Sequence, residues 1–129
     1  MASQQYSLLV VDDNEMNRDL LGRRLQRQGY RVTMAVDGRQ ALEFIREETF
    51  DLVLLDIMLP VMNGYEVLEE MQADQAMSKI PVIITTALDE SDGKAKCLAL
   101  GAEDYLTKPF NPVLLKSRIG DCLERHRRG

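Results

Sequence analysis

Residues 52–64, LVLLDIMLPVMNG, restrict the fold of this chain more than any other stretch. Leu52 to Leu55 offer no polar side to solvent, so they predict a strand buried on both faces of a sheet. Asp56 stands where that strand stops, and Pro60 with the Asn63-Gly64 pair forces a loop after it. The carboxylate is thereby set at a strand's carboxyl end, where open α/β sheets hold their ligands. Taken alone, Asp56 reads as a cap for the next helix or turn.

The same arrangement recurs. Residues 8–11, LLVV, are followed by Asp12-Asp13; residues 80–87 carry Thr85 and Thr86 near their end; Asp104-Tyr105-Leu106-Thr107 delivers Lys108-Pro109. Acids, hydroxyl and lysine therefore emerge on one side of a common sheet. Strands are predicted at residues 6–11, 30–35, 52–55, 82–86 and about 103–106. Helices are predicted at 14–28, with Met16, Leu20, Leu21 and Leu25 on one stripe; at 39–48, with Ala41, Leu42 and Ile45; and at 65–72, with Val67, Leu68 and Met71. A polar stretch covers 73–79, and a short helix started by a cap among Asp89, Glu90, Ser91 and Asp92 ends at Gly101. Asn111-Pro112 opens a last helix that carries Leu114, Leu115, Ile119 and Leu123.

Strand and helix alternating five times predict an α/β domain: a five-stranded parallel sheet flanked by five helices. Strand order 2-1-3-4-5 places the first and third strands side by side at the switch point, which brings Asp12, Asp13 and Asp56 together. The 129 residues, 45% hydrophobic and 29% charged, suit one domain, with an ordered core expected over about 6–126. A net charge of −5 argues against a general binder of nucleic acid or anionic membranes. With no apolar run long enough to span a bilayer and no secretory pattern in residues 1–5, a cytoplasmic location is expected. Cys97 and Cys122 lie on apolar helical faces without C-x-x-C spacing and are expected to be buried thiols; His126 is expected at a solvated helix end.

Three carboxylates at close quarters repel one another and call for a cation or for protons. Oxygen donors with no His or Cys beside them favour Mg2+. Asp56 could then act as a nucleophile, with Lys108 and the Thr86 hydroxyl contacting phosphoryl oxygens, since phosphoryl transfer needs positioning and charge neutralisation above all. Each part also has an ordinary explanation: capping for Asp12 and Asp13, β-propensity for the threonines, a solvated side chain for the lysine. Together those explanations require four unrelated accidents at the ends of neighbouring strands.

VVDDNEMNR, LVLLDIMLPVMNG, TTALD and GAEDYLTKPF, in this order and spacing, resemble the receiver domain of two-component response regulators, the family of the bacterial chemotaxis receiver. The resemblance spans nearly the whole chain, 1–129. It implies a flavodoxin-like fold and acceptance of a phosphoryl group from a sensor histidine kinase or phosphotransfer protein. Asp56 resembles the phosphoacceptor, Asp13 a direct metal ligand and Asp12 an acid holding the metal partly through water. With Asp56 and the backbone carbonyl of Met58, these would complete the protein's share of ligands to Mg2+ or Mn2+. Lys108, with a cis peptide to Pro109, looks like the phosphate-contacting lysine, and Thr86 and Tyr105 look like a switch pair.

That switch would have Tyr105 swing inward and alter the face of the fourth helix, fifth strand and fifth helix, where an output domain, a downstream protein or a second copy docks. Kinase pairing would rest on first-helix surface residues such as Arg18, Asp19 and Gly22. Met58 and Leu88 stand where fast self-dephosphorylation would need a polar side chain, which predicts a long-lived phosphoryl state and no conventional enzyme activity. A phosphatase of the haloacid dehalogenase type would need an acid in place of Met58. A nucleotide-binding domain would need a glycine-rich loop after Val11. A pure interaction module has no need of the full set of acid, hydroxyl and lysine. The last residues, 122–129, carry no second domain, and either a stand-alone regulator or a segment of a longer protein is consistent with them.

Overall fold

Leu52–Leu55 (β3) is the central strand of a five-stranded parallel sheet, and its two faces account for its unbroken apolar run. Val53 and Leu55 join the core beneath α2 (Gly38–Glu47), α3 (Gly64–Ala73) and α4 (Ser91–Ala99). Leu52 and Leu54 join the opposite core beneath α1 (Glu15–Arg27) and α5 (Pro112–Arg127). All four are buried, and truncating any of them to alanine would cost about 2–5 kcal/mol. The computed structural model describes residues 5–87, 91–109 and 111–127.

The other strands are β1 (Ser7–Val11), β2 (Arg31–Ala35), β4 (Val82–Thr86) and β5 (Asp104–Thr107), in the order β2-β1-β3-β4-β5. The expected architecture and strand order are thus observed. Register is what positions the site. Val11 pairs with Leu55, so the next residue on each strand, Asp12 and Asp56, lies at the same level, and the Asp56 amide donates to the Val11 carbonyl at 3.1 Å. Thr86 pairs with Thr107, so Lys108 leaves β5 just beyond Thr86, its amide donating to the Thr86 carbonyl at 2.6 Å.

Helix ends follow the residues that mark them. Asn14, Asp37 and Asn63 cap α1, α2 and α3, Asn63 through a reciprocal capping box with Glu66. Asn111 accepts from the Val113 amide ahead of Pro112, and Gly29 and Gly101 take positive φ after α1 and α4. The caps expected at Asp89 and Glu90 fall outside the described residues.

Three expectations are corrected. Met16 and Leu20 do not share a stripe with Leu25: they are 71% and 60% exposed while Leu25 is fully buried. At 100° per residue they lie about 180° and 140° around the helix from Leu25, and the inward positions are Leu21 and Gly22. Gly22 is therefore no surface determinant; a Cβ there would sit 3.1 Å from Met34 Sδ. Leu114 is 40% exposed, about 100° from the buried Leu115. The polar stretch 73–79 contains a 3-10 turn, Met77–Lys79, held by Asp74 Oδ1 accepting from the Ala76 and Met77 amides, and it buries Met77 in the core.

Candidate functional site

At the carboxyl edge of the sheet, Asp12, Asp13 and Asp56 each present a carboxylate oxygen, all within 4.8 Å of one another. Asp12 and Asp56 are buried and Asp13 is exposed, which leaves the cluster open on one side. Lys108 Nζ bridges the two buried acids, 2.5 Å from Asp12 Oδ2 and 2.9 Å from Asp56 Oδ2. Burial works against the ammonium, but its hydrogen bonds to Asp12 and Asp56 outweigh that and hold the lysine pKa above its ordinary value. Lys108 follows directly on the last residue of β5, and its peptide to Pro109 is cis, as expected.

The remaining carboxylate oxygens serve the backbone. Asp12 Oδ1 accepts from the Asn14 amide at 2.9 Å, closing a turn just ahead of α1, whose cap is Asn14 rather than Asp12. Asp56 Oδ1 accepts from the Met58 amide at 3.2 Å, which turns the chain back at the end of β3. Behind it, the Gly64 amide donates to the Ile57 carbonyl at 2.8 Å. A Cβ on Gly64 would lie 2.5 Å from the Asp56 carbonyl oxygen and 2.7 Å from Ile57 Cα, so only glycine lets α3 start this close to the acid.

Between Pro60 and Met62 the chain makes a tight three-residue turn, with Val61 at φ 68° and the Met62 amide 2.6 Å from the Pro60 carbonyl. Arg18, expected as a free surface residue, donates from Nη1 to the Asp12 carbonyl at 2.9 Å. The Asn63-Gly64 pair signalled a turn, but only three-dimensional packing shows what the glycine admits.

Among these four side chains negative charge exceeds positive by two, and every donor beside Lys108 is oxygen. That set suits a hard divalent cation such as Mg2+, so the acid cluster fits the metal expected from the sequence. Thr86 is fully buried, and Tyr105, which pairs with Ile84, lies in the same core as that isoleucine. Residues 84 and 86 point to one side of β4, so Thr86 and Tyr105 share a face of the sheet. Tyr105 is 8% exposed and belongs to the core on that side of the sheet. Met58 is 60% exposed; Leu88 lies outside the described residues. Beside the cluster, a groove of about 490 Å3 runs between α1 and the Lys108-Pro109 turn, lined by Asn17, Leu20, Leu21, Arg24 and Ala87. No helix among the described residues is long and apolar enough to cross a membrane.

Known proteins match both sequence and shape. The chain is 41% identical over 122 residues to the probable transcriptional regulator ycf27 of Cyanidium caldarium, covering 95% of this chain and 48% of that protein. It is 42% identical over 118 residues to the alkaline phosphatase synthesis transcriptional regulatory protein PhoP of Bacillus subtilis, covering 92% and 48%. The chain spans about half the length of these curated relatives. A CheY-like response regulator receiver domain protein from Methanospirillum hungatei superposes with a TM-score of 0.90 at 31% identity, over 97% of this chain and 98% of that one. The receiver domain of the sensor histidine kinase PA1611 from Pseudomonas aeruginosa, solved with a magnesium ion in its active site cleft, gives 0.86 at 32% identity over 94% and 99%. The family model of the response regulator receiver domain matches residues 8–120, and with five parallel strands in the order 2-1-3-4-5 carrying acids at their carboxyl edge, the chain belongs to the receiver domains of two-component response regulators.

Proposed function

We propose that Asp56 accepts the phosphoryl group in this receiver domain, from a histidine kinase or phosphotransfer protein or from a small phosphodonor. The observation that carries this reading is the Lys108 bridge: a lysine from another strand end holds Asp56 and Asp12 together at the open edge of the sheet. In the transfer an Asp56 oxygen attacks phosphorus while the bond from phosphorus to the donor's imidazole nitrogen, or to the oxygen of acetyl phosphate, breaks and its electron pair leaves with the donor. Lys108 would exchange its contact with Asp56 Oδ2 for the phosphoryl oxygens, and the Thr86 hydroxyl would donate to one of them. Asp12, Asp13, Asp56 and the Met58 carbonyl are the groups that would hold Mg2+ or Mn2+. The bound ion would supply positive charge to the phosphoryl oxygens.

A receiver domain is a signalling switch; its chemistry on itself is confined to gaining and slowly losing this group. The face of α4, β5 and α5 is the proposed output surface, with Thr86 and Tyr105 as the linked pair, because Tyr105 belongs to β5 and shares with Thr86 the side of the sheet that α4 covers. The groove beside α1 and the exposed Leu20 and Met16 are the proposed kinase contacts in place of Gly22. The exposed thioether of Met58 cannot orient water, which favours a long-lived phosphoryl state.

The test is to incubate the chain with Mg2+ and acetyl phosphate and to follow intact mass, with Asp56→Asn in parallel. One added phosphoryl group in the wild type alone is the expected result. Equal gain in Asp56→Asn, or no gain in either, overturns the assignment. Loss of the group within seconds, or no faster loss in Met58→Asn, overturns the long lifetime.

A further inference from the structure

The opposite edge of the sheet carries a second convergence of ligating groups, which phosphoryl acceptance does not use. Cys122 and His126 are four residues apart on α5, which sets both on one face of the helix. Glu103 stands just before β5 and faces them. Its Oε1 lies 2.9 Å from His126 Nε2, and Cys122 Sγ, an imidazole nitrogen of His126 and a Glu103 oxygen all fall within 4.8 Å of one another. The sequence alone favoured a buried thiol and a solvated histidine; Glu103 is the ligand that spacing along the chain could not supply.

We propose that Glu103, Cys122 and His126 form a transition-metal site, with Zn2+ as the fitting ion and water completing a four-coordinate sphere. Sulfur, imidazole nitrogen and carboxylate oxygen are the donors zinc takes, and roughly 3.3–3.7 Å separates such atoms around a tetrahedral ion. To reach that size the Glu103–His126 side, now 2.9 Å, would open slightly, and any longer side, at most 4.8 Å, would close. Arg125 Nη2 donates to the other oxygen of Glu103 at 3.2 Å, the kind of outer contact that orients a ligating carboxylate. The site is half-open, because Cys122 is buried while Glu103 and His126 reach solvent. Mg2+ is the wrong ion for a thiol and an imidazole, so the two edges of the sheet would select different metals.

Burial, helped by the Glu103 carboxylate, pushes the Cys122 thiol up to about 11, so the ion binds by displacing the thiol proton to solvent. Once bound, it would fasten the last turns of α5 to the amino end of β5. The rival explanation is an ion pair among Glu103, Arg125 and His126 with a packed thiol beside it.

Cobalt(II) separates the two, because a cobalt–thiolate bond gives a near-ultraviolet charge-transfer band that the all-oxygen acid cluster cannot produce. The chain would be titrated with Co2+, and Zn2+ then added to displace it. A saturable band in the wild type, unchanged in Cys97→Ser and in Asp13→Asn, is expected. The band should vanish in Cys122→Ser and weaken in apparent affinity at least tenfold in His126→Ala and Glu103→Gln, with about tenfold loss in Arg125→Ala. No band, a band lost in Cys97→Ser, or wild-type affinity in His126→Ala overturns the site. His126 and Glu103 reach solvent, so their variants decide the question even where Cys122→Ser fails to fold.

Discussion

The two edges of the sheet hold comparable side-chain clusters in opposite electrostatic settings. At the carboxyl edge, Asp12 and Asp56 are buried and bridged by Lys108, whose side chain is 17% exposed; at the amino edge, Glu103 meets Arg125 and His126 where water reaches all three. A buried acid whose cation is removed is left uncompensated, whereas an exposed pair is screened and interchangeable with water. The same formal ion pair is therefore structurally demanding at one edge and nearly free at the other. The difference leaves the carboxyl edge strained by charge that an added cation can relieve, while the amino edge holds no such excess.

Removing the bridge should break this contrast most. Lys108→Met is expected to cost about 2–3 kcal/mol in urea unfolding without metal, with a large part regained when Mg2+ is added. Arg125→Met, at the exposed edge, should leave the urea midpoint unmoved. Equal effects of the two would erase the distinction drawn between the edges.

Gly64→Ala sharpens the comparison through backbone packing. Its Cβ meets the carbonyl of Asp56 itself, and the expected loss is about 2 kcal/mol with slower phosphoryl gain from acetyl phosphate. Gly120→Ala, in α5 with nothing within 4 Å of the added carbon, should instead stabilise by about 0.5–1 kcal/mol. A wild-type stability and rate for Gly64→Ala would show that the loop behind Asp56 gives way freely. Val61→Gly tests the strain in that loop. A β-branched residue at φ 68° is strained, so glycine there should be neutral or stabilising by up to about 1 kcal/mol, where glycine elsewhere destabilises. Thermal unfolding of the pair measures it.

The smallest effect is a pH dependence at the amino edge. Burial alone would raise the Glu103 carboxyl, but hydrogen bonds from His126 and Arg125 more than offset it and hold the native pKa below the ordinary value. The unfolded chain then binds more protons between the two values, so this contribution is present above the ordinary carboxylate pKa and is lost as pH falls through the depressed one. Because the group is largely exposed, it should stay below about 1 kcal/mol. Urea unfolding of the wild type and Glu103→Gln across the acid range should show their difference shrinking as pH falls; a constant difference would count against the linkage.

The strands and most helix ends were legible because their signals are local. Residues 52–55 form β3 and 82–86 form β4, as the apolar runs indicated, and Gly29, Gly101, Asn14, Asn63 and Asn111 mark ends by their own conformational preferences. The misreadings came where a neighbour across space decides. Met16 and Leu20 look like core residues until the facing of α1 is fixed by Gly22 against Met34, which turns them outward. Met77 looked like part of a polar linker until the turn around Asp74 folded it inward.

The sequence by itself determined the alternation of buried strands with helices and the acids, hydroxyl and lysine at the strand ends, because each signal lies within a few consecutive residues. Tertiary structure alone decided which of these groups meet. Asp12 and Lys108 are 96 residues apart, Asp56 and Lys108 are 52 apart, and Glu103 and His126 are 23 apart. What joins them is strand register and the packing of α5 against Leu106 of β5, and none of these distances is written in the spacing of the chain. Side chains gain neighbours through packing of whole elements, so the chemistry available at each edge is a property of the fold that the local sequence only makes possible.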